Sequence, residues 1–480
     1  MKKITTLFLT CMFALSLSSC DDFLDNKPKG YTIPQYYEDY AFLLNDMNFG
    51  FLGVLYPTYI TDDLALGGDD APNPVRFSLK TEPEKGCYIF EHGKIFAEGS
   101  NDGFYADCYE QIYTNNVVIN NIMDVPDGKE KDKIATKAEA HMGRAFCYFH
   151  LVNVYATQYN EATASKDLGV PVITSEDINA SYVRNSVQEV YDLILSDMKI
   201  AVEGLPEITN NAFHPNKCAA YTFLARVYLY MEKYNEALDA SEKALSLNTT
   251  AELLDYTKYH INPEAEYRDR IQDEAGNVFP TRAKHPENLY IKLPPNDMAS
   301  EVFASEDLLK TFSKKLDDAS TDKREELFYI KDECNTIEHM VFPGKTMYIA
   351  HLLPNCGIML SEVYLNLAES EARIGNKEKA MEYLKVLRDN RISENKVVTV
   401  ASNDEALEVV LDERRRETAF WAQTRFNELR RINRNPKTAK EVVHELDGEI
   451  FRLPPNDPRY VMLLPYSVTE LNPSIPDYER

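Results

Sequence analysis

The chain has 480 residues, 44% apolar and 27% charged, the composition of a folded globular protein and not of a disordered chain or a membrane bundle. Lysine and arginine number 52 against 77 aspartate and glutamate, a formal charge of −25. That sign excludes nucleic acid as a partner held by the overall field and leaves neutral ligands such as sugars and peptides open.

The chain starts with Lys2-Lys3 and an apolar run from Ile4 to Leu17, too short to span a bilayer as a mature helix, so residues 1–19 read as a signal peptide. The run ends in Leu17-Ser18-Ser19-Cys20, a bacterial lipoprotein box with Cys20 as the acylated first mature residue. Acyl chains there hold a protein at a membrane surface without a spanning helix. Of the remaining cysteines (87, 108, 147, 218, 334, 356), none forms a CxxC pair, which argues against zinc or a thioredoxin-like site. Cys147 and Cys218 sit inside helical patterns and read as small buried apolar residues.

Residues 21–33 form a polar tether, and 36–47 a first helix. Residues 49–101 follow as a long stretch rich in Gly, Pro, Asp and aromatics, without a repeat pattern. A helical period returns over 105–123 and, more strongly, over 131–156, where Ala138, Met142, Ala145, Phe149, Val152 and Tyr155 recur at helical spacing. Ser186 followed by Glu189 predicts a capped helix to about 205.

Residues 216–248 organise the rest. Leu224, Ala225 and Tyr228 mark one helix, Ala237, Ser241 and Ala244 a second, with a polar turn at 232–235, the spacing of a tetratricopeptide repeat. Small residues at the crossing let the two backbones approach while Leu and Tyr fill the grooves. One hairpin cannot bury both faces, so others are expected: 360–388 is a second, with Gly375-Asn376 at its turn. A second irregular stretch covers 254–300, a helix begins near 305, and 404–434 reads as one long charged helix. The proline-rich tail, Leu453-Pro454-Pro455 and 463–479, reads as loops. The expected fold is mostly all-α: one domain over 20–480, with tetratricopeptide-like helix pairs near 105–156, 186–248 and 360–434 and loop-rich, ligand-binding parts near 49–104 and 254–300.

Catalytic and metal chemistry find little support. Gly344-Lys345-Thr346 lacks the upstream glycine of a phosphate loop, that position being His339, and reads as an ordinary loop. There is no HExxH, no GxSxG and no EF-hand loop; Asp62-Asp63 and Asp69-Asp70 read as solvated loop acids. Nothing singles out a carboxylate pair for glycoside hydrolysis. Along 411–434 the basic cluster is offset by its own acids, Asp412 to Arg416 and Glu413 to Arg416, and Trp421 falls on a packing seam.

Taken together, the lipobox followed by CDDFLD, the YEQIYTNNVVINNI and EAHMGRAFCYFHLVNVYA helices, the tetratricopeptide pairs and ERRRETAFWAQTRFNELRR resemble the SusD/RagB family of outer-membrane nutrient-binding lipoproteins. The resemblance implies a lipid-anchored, surface-exposed protein of the outer membrane that captures an oligosaccharide or a peptide. It implies delivery of that cargo to a SusC-like TonB-dependent transporter, with no catalysis; the residues themselves point to no cofactor and no metal ligands. It places the ligand site in loops outside the repeat scaffold. A sugar site needs flat aromatic faces beside groups that donate to and accept from hydroxyls. The candidate cluster on those grounds is Tyr56, Tyr59, Asp62 and Asp63, with Phe90, Asn101 and Tyr105 from the next loop and Tyr290 from the later one. The competing classes are a peptide-binding member of the same family, a surface glycan-degrading enzyme and a pure tetratricopeptide adaptor.

Overall fold

The computed structural model describes residues 34–480 apart from 72, 178–181, 267–268, 295–300, 335–339 and 349–354; the expected leader and the expected lipidation site at Cys20 lie outside the described residues. Among the described residues nine helices carry the scaffold: α1 Gly103–Asn121, α2 Glu130–Tyr155, α3 Val187–Gly204, α4 Lys217–Tyr230, α5 Tyr234–Leu247, α6 Leu360–Ile374, α7 Lys377–Arg388, α8 Asn403–Thr418 and α9 Thr424–Ile432. Sequential pairs pack as hairpins, α5 packs on α6 across the long insertion, and α6 packs in turn on α8, giving a continuous stack. Ala237, Ser241 and Ala244 of α5 are fully buried at the crossing, as the small-residue pattern requires. From Ala140 onward every residue of α2 is buried, so this helix is central, and its buried His141 and Arg144 are paired with Asp197. Ser186 and Glu189 form the expected reciprocal cap on α3.

Four expectations of local structure need correction. The 404–434 helix is broken: Phe420 (φ 63°) and Ala422 (φ 44°) take left-handed backbone between α8 and α9. Tertiary contacts outweigh helix propensity there, because the Phe420 ring stacks on Tyr348 at 4.7 Å and Thr58 Oγ1 donates to the Ala422 carbonyl at 2.8 Å. The 49–101 and 254–300 stretches hold short regular pieces: a helix at Glu82–Tyr88 with a Thr81/Glu84 capping box, and a ribbon pairing Tyr259–Ile261 with Ile271–Asp273. The tail holds a helix at Tyr466–Leu471.

The loops also build an antiparallel sheet from β1 Leu64–Ala65, β2 Phe303–Ala304, β3 Tyr329–Cys334 and β4 Met340–Tyr348, in the order β1-β2-β4-β3. Gly344-Lys345-Thr346 is not the loop expected from sequence but lies in β4, paired with β3 beside a register shift, and the Gly344 N–H donates to Asp332 Oδ1 at 2.6 Å. A hairpin of β5 Val442–Leu446 and β6 Glu449–Leu453 turns at Asp447-Gly448, both with positive φ, the geometry of a two-residue primed turn. Among the described residues no helix is long and apolar enough to cross a membrane.

Candidate ligand-binding site

Of the eight residues expected from sequence to meet a ligand, six pack in the interior, Asn101 is exposed and Tyr290 lines a pocket. Tyr56 donates to Asp102 Oδ2 at 2.7 Å, and Tyr155 donates to the same oxygen while Asp102 caps α1. Burial pushes the Asp102 carboxyl up despite those donors. Tyr105 packs edge-on against Tyr155 at 5.1 Å, Tyr59 is fully buried, and Phe90 stacks on His444 at 4.7 Å. Asn101 is exposed, its side-chain oxygen accepting from Ser467 Oγ at 2.7 Å. Tyr56 thus fastens its loop to the start of α1 and to α2, while Phe90 packs on β5.

Asp62 and Asp63 are buried and ion-paired, not solvated, whereas Asp69 and Asp70 are exposed. Asp62 takes Arg425 through both oxygens (2.8 and 2.9 Å), and Asp63 accepts from Arg415 Nε at 2.7 Å. Burial works to raise both carboxyls; around Asp62 the guanidinium groups of Arg415 and Arg425 outweigh it and hold that carboxyl well below the usual range. Asp63, beside the Asp62 charge, stays raised by burial. The ion pairs extend through Arg324, which meets Asp322, Glu413 and Glu417, and through Arg391, which meets Glu287 and Glu417.

Tyr290, the eighth residue, lines a pocket of 380 Å³, inside the roughly 300–1,000 Å³ range of small-molecule sites. Five segments meet there, residues 44–51, α1, α2, 211–214 and 290–293, and hydrogen bonds pin them together. Gln111 on α1 donates to the Asn48 and Phe51 carbonyls at 3.1 and 2.8 Å. Leu52 N–H donates to Leu293 O and Leu293 N–H to Gly50 O (2.9 and 2.8 Å), and Ile291 N–H reaches Ala212 O at 2.7 Å. Phe49, Phe51, Phe213 and Tyr290 supply aromatic surface, with Phe51 and Phe213 partly exposed.

The polar lining is sparse. Asn115 donates to Gln111 O at 2.8 Å, and its own buried side-chain oxygen has no partner. Gly143 opposite leaves room for it: a Cβ there would lie 2.8 Å from that oxygen. His214 and Glu139 pair at 2.8 Å, and this hydrogen bond raises the imidazole pKa. Lys292 is 3% exposed, donates through Nζ to Phe49 O and sits over the Tyr290 ring at 5.0 Å. Burial brings its pKa down to about 8. Tyr290 and Lys292 are two residues apart in extended chain and share a face. Phe49, Phe51, Asn115, Phe213 and Lys292 were not singled out by sequence; the two-residue spacing of Lys292 from Tyr290 is the signal that would have found one of them.

Trp421 is half-buried in the α8–α9 break and borders two smaller cavities of 50 Å³ each, room for a few waters and not for a sugar ring.

Stacked helical hairpins supporting loops that border an aromatic-walled pocket define a helical-repeat scaffold. Residues 79–229 match a SusD-like family described as starch-binding and associating with the outer membrane, residues 357–472 match the SusD family, and residues 219–250 match a tetratricopeptide repeat. SusD-like proteins P2 and P25 of Formosa agariphila are 25% and 23% identical over 287 and 288 residues, 58% and 56% of this chain. The matches take in 50% and 51% of those proteins, so the chain spans about half the length of the curated relatives it matches. A SusD superfamily protein of Bacteroides thetaiotaomicron superposes with a TM-score of 0.68 at 22% identity, covering 93% of this chain and 100% of that one. A SusD-like carbohydrate binding protein of Bacteroides vulgatus gives 0.64 at 17%, covering 92% and 98%. The chain belongs to the SusD/RagB family.

Proposed function

We propose that residues 20–480 are one lipid-anchored domain on the outer membrane that captures an oligosaccharide in the 380 Å³ pocket and hands it, unaltered, to a SusC-like TonB-dependent transporter. The observation that carries this reading is the pocket itself: four aromatic side chains face a few hydrogen-bonding groups, the pairing that sugar rings and their hydroxyls require. Of the residues expected from sequence, Tyr290 is the one proposed to touch the ligand. Tyr56, Tyr59, Asp62, Asp63, Phe90 and Tyr105 are proposed to hold the loops in place, and Asn101 to mark a surface outside the pocket. Family membership and the likeness to carbohydrate-binding relatives support the same assignment.

The test is calorimetry on the soluble form, residues 21–480, against oligosaccharide and peptide panels, with product analysis after long incubation. Oligosaccharide binding without turnover is expected, weakened about tenfold by Phe51→Ala or Phe213→Ala, since one lost ring contact of ~1.4 kcal/mol is a factor of ten. Peptide binding alone, or a cleaved glycan, would replace this reading with one of its competitors. Palmitate labelling lost in Cys20→Ala tests the anchor separately.

A further inference from the structure

We infer that the pocket is selective for an acidic sugar, one whose carboxylate or sulfate group pairs with Lys292. The inference rests on the oligosaccharide reading above and narrows its ligand class. Lys292 is a buried ammonium that no ion pair joins to a carboxylate among the described residues. Such a charge is normally paired when it is taken out of water. Two carboxylates line the same pocket; Glu139 attracts the Lys292 ammonium without forming an ion pair with it, and both carboxylates are engaged elsewhere. Glu139 accepts from His214 at 2.8 Å, and Asp46 accepts from the Asn48 N–H at 2.9 Å as the cap of a short helical turn.

An ammonium carries three donors, and one of them is directed to the Phe49 carbonyl. The rings of Phe49 and Tyr290, 5.7 and 5.0 Å from Nζ, flank the amine without neutralising it. A neutral sugar hydroxyl would accept a hydrogen bond there and leave the charge uncompensated; an anionic substituent supplies both. The partnerless Asn115 oxygen on the same lining accepts a neighbouring hydroxyl, fixing the ring beside the charge. The chain's net charge of −25 does not oppose this, because surface charges beyond about 8 Å are screened at physiological ionic strength and the local amine decides.

The test uses soluble wild type and Lys292→Met with uronic-acid oligosaccharides (galacturonate, glucuronate and mannuronate) and sulfated galactan oligosaccharides. Each is matched to its carboxyl-reduced or desulfated counterpart. We expect the acidic member of at least one pair to bind wild type tenfold or more tighter, with the uronate and sulfate arms telling the two anions apart. We expect Lys292→Met to erase that preference while its unfolding temperature rises, as removal of an unpaired buried charge predicts. Equal affinity for the charged and neutral members, or a preference that survives in Lys292→Met, overturns the inference and leaves the oligosaccharide reading intact. Failure of every sugar, charged or neutral, overturns both. The wild-type comparison of matched ligands needs no variant and stands should Lys292→Met fold poorly.

Discussion

Glu369 on α6 is fully buried and serves three guanidinium groups: Arg431 through both oxygens, Arg373 Nη2 at 3.1 Å and Arg414 Nε at 3.2 Å. Burial works to raise its carboxyl, and the three arginines outweigh burial and hold it below the usual glutamate range. Glu369→Gln keeps the shape and deletes the charge, leaving three buried cations against Glu428 alone, which lies 3.4 Å from Arg414 and 3.7 Å from Arg431. Breaking a buried pair this way costs about 3–5 kcal/mol. The control is Asp404→Asn, whose bridge to Lys437 is short at 2.6 Å but about two-thirds exposed on both sides (64% and 67%); it should cost well under ~1 kcal/mol. Burial, not length, is the deciding variable. Urea unfolding of the soluble protein, followed by circular dichroism and Trp421 fluorescence at constant m-value, measures both. Because the folded-state value of Glu369 is lowered, its contribution is complete above the unfolded glutamate value of about 4.3 and fades as pH falls below it. The Glu369→Gln deficit should therefore be full at pH 7 and shrink in acid. A deficit no larger than that of Asp404→Asn would refute the reasoning.

Gly143→Ala places a methyl 2.8 Å from the Asn115 oxygen; a helix-propensity gain of about 1 kcal/mol offsets part of that crowding, so calorimetry should show a tenfold loss of ligand affinity with little change in unfolding midpoint. Ser186→Ala removes the acceptor for the Glu189 N–H at 3.2 Å and should cost about 1 kcal/mol in the same urea assay. The Glu139 hydrogen bond raises the His214 pKa, so its stabilisation is present below about pH 6.5 and lost as pH rises through the folded value. His214→Gln should accordingly destabilise more at pH 5.5 than at pH 8.5, by a few tenths of a kcal/mol after solvent screening.

The repeat scaffold was legible because its signals are local: small residues at helical spacing over 216–248, and the Ser186/Glu189 cap. The Asp447-Gly448 turn is equally local and marks the β5–β6 hairpin, although the prolines that follow it read as loop. The ionic core was not legible. Sequence spacing pairs Arg416 with Asp412 and Glu413; the Glu413 contact holds at 2.6 Å, while Asp412 turns to Lys314 at 2.8 Å. Arg414 and Arg415 find acids on distant segments, and Arg425 meets Asp62 across 363 positions of chain. The loop tyrosines were ambiguous for a related reason. An aromatic side chain packing a loop onto a helix and one facing a sugar look alike in sequence, since both demands select the same apolar face with a polar edge.

Stability alone does not account for so many buried ion pairs, because well-packed apolar residues of similar volume often serve as well or better. What apolar residues do not provide is a directional joint. Arg391 shows the use of one: its guanidinium bonds Glu287, Glu417 and the Leu254 carbonyl, fastening the start of the 287–293 segment to α8. Three residues beyond Glu287 lies Tyr290, and five beyond it Lys292, both lining the pocket. A segment without its own helix or broad sheet is thus fixed at the level of individual side chains. Fixing it before the ligand arrives removes ordering entropy that binding would otherwise have to overcome. The buried charges of α8 and α9 and the aromatic pocket are in that sense one arrangement, with the clamp at Glu287 and the proposed ligand surface at Tyr290 and Lys292 on the same short piece of chain.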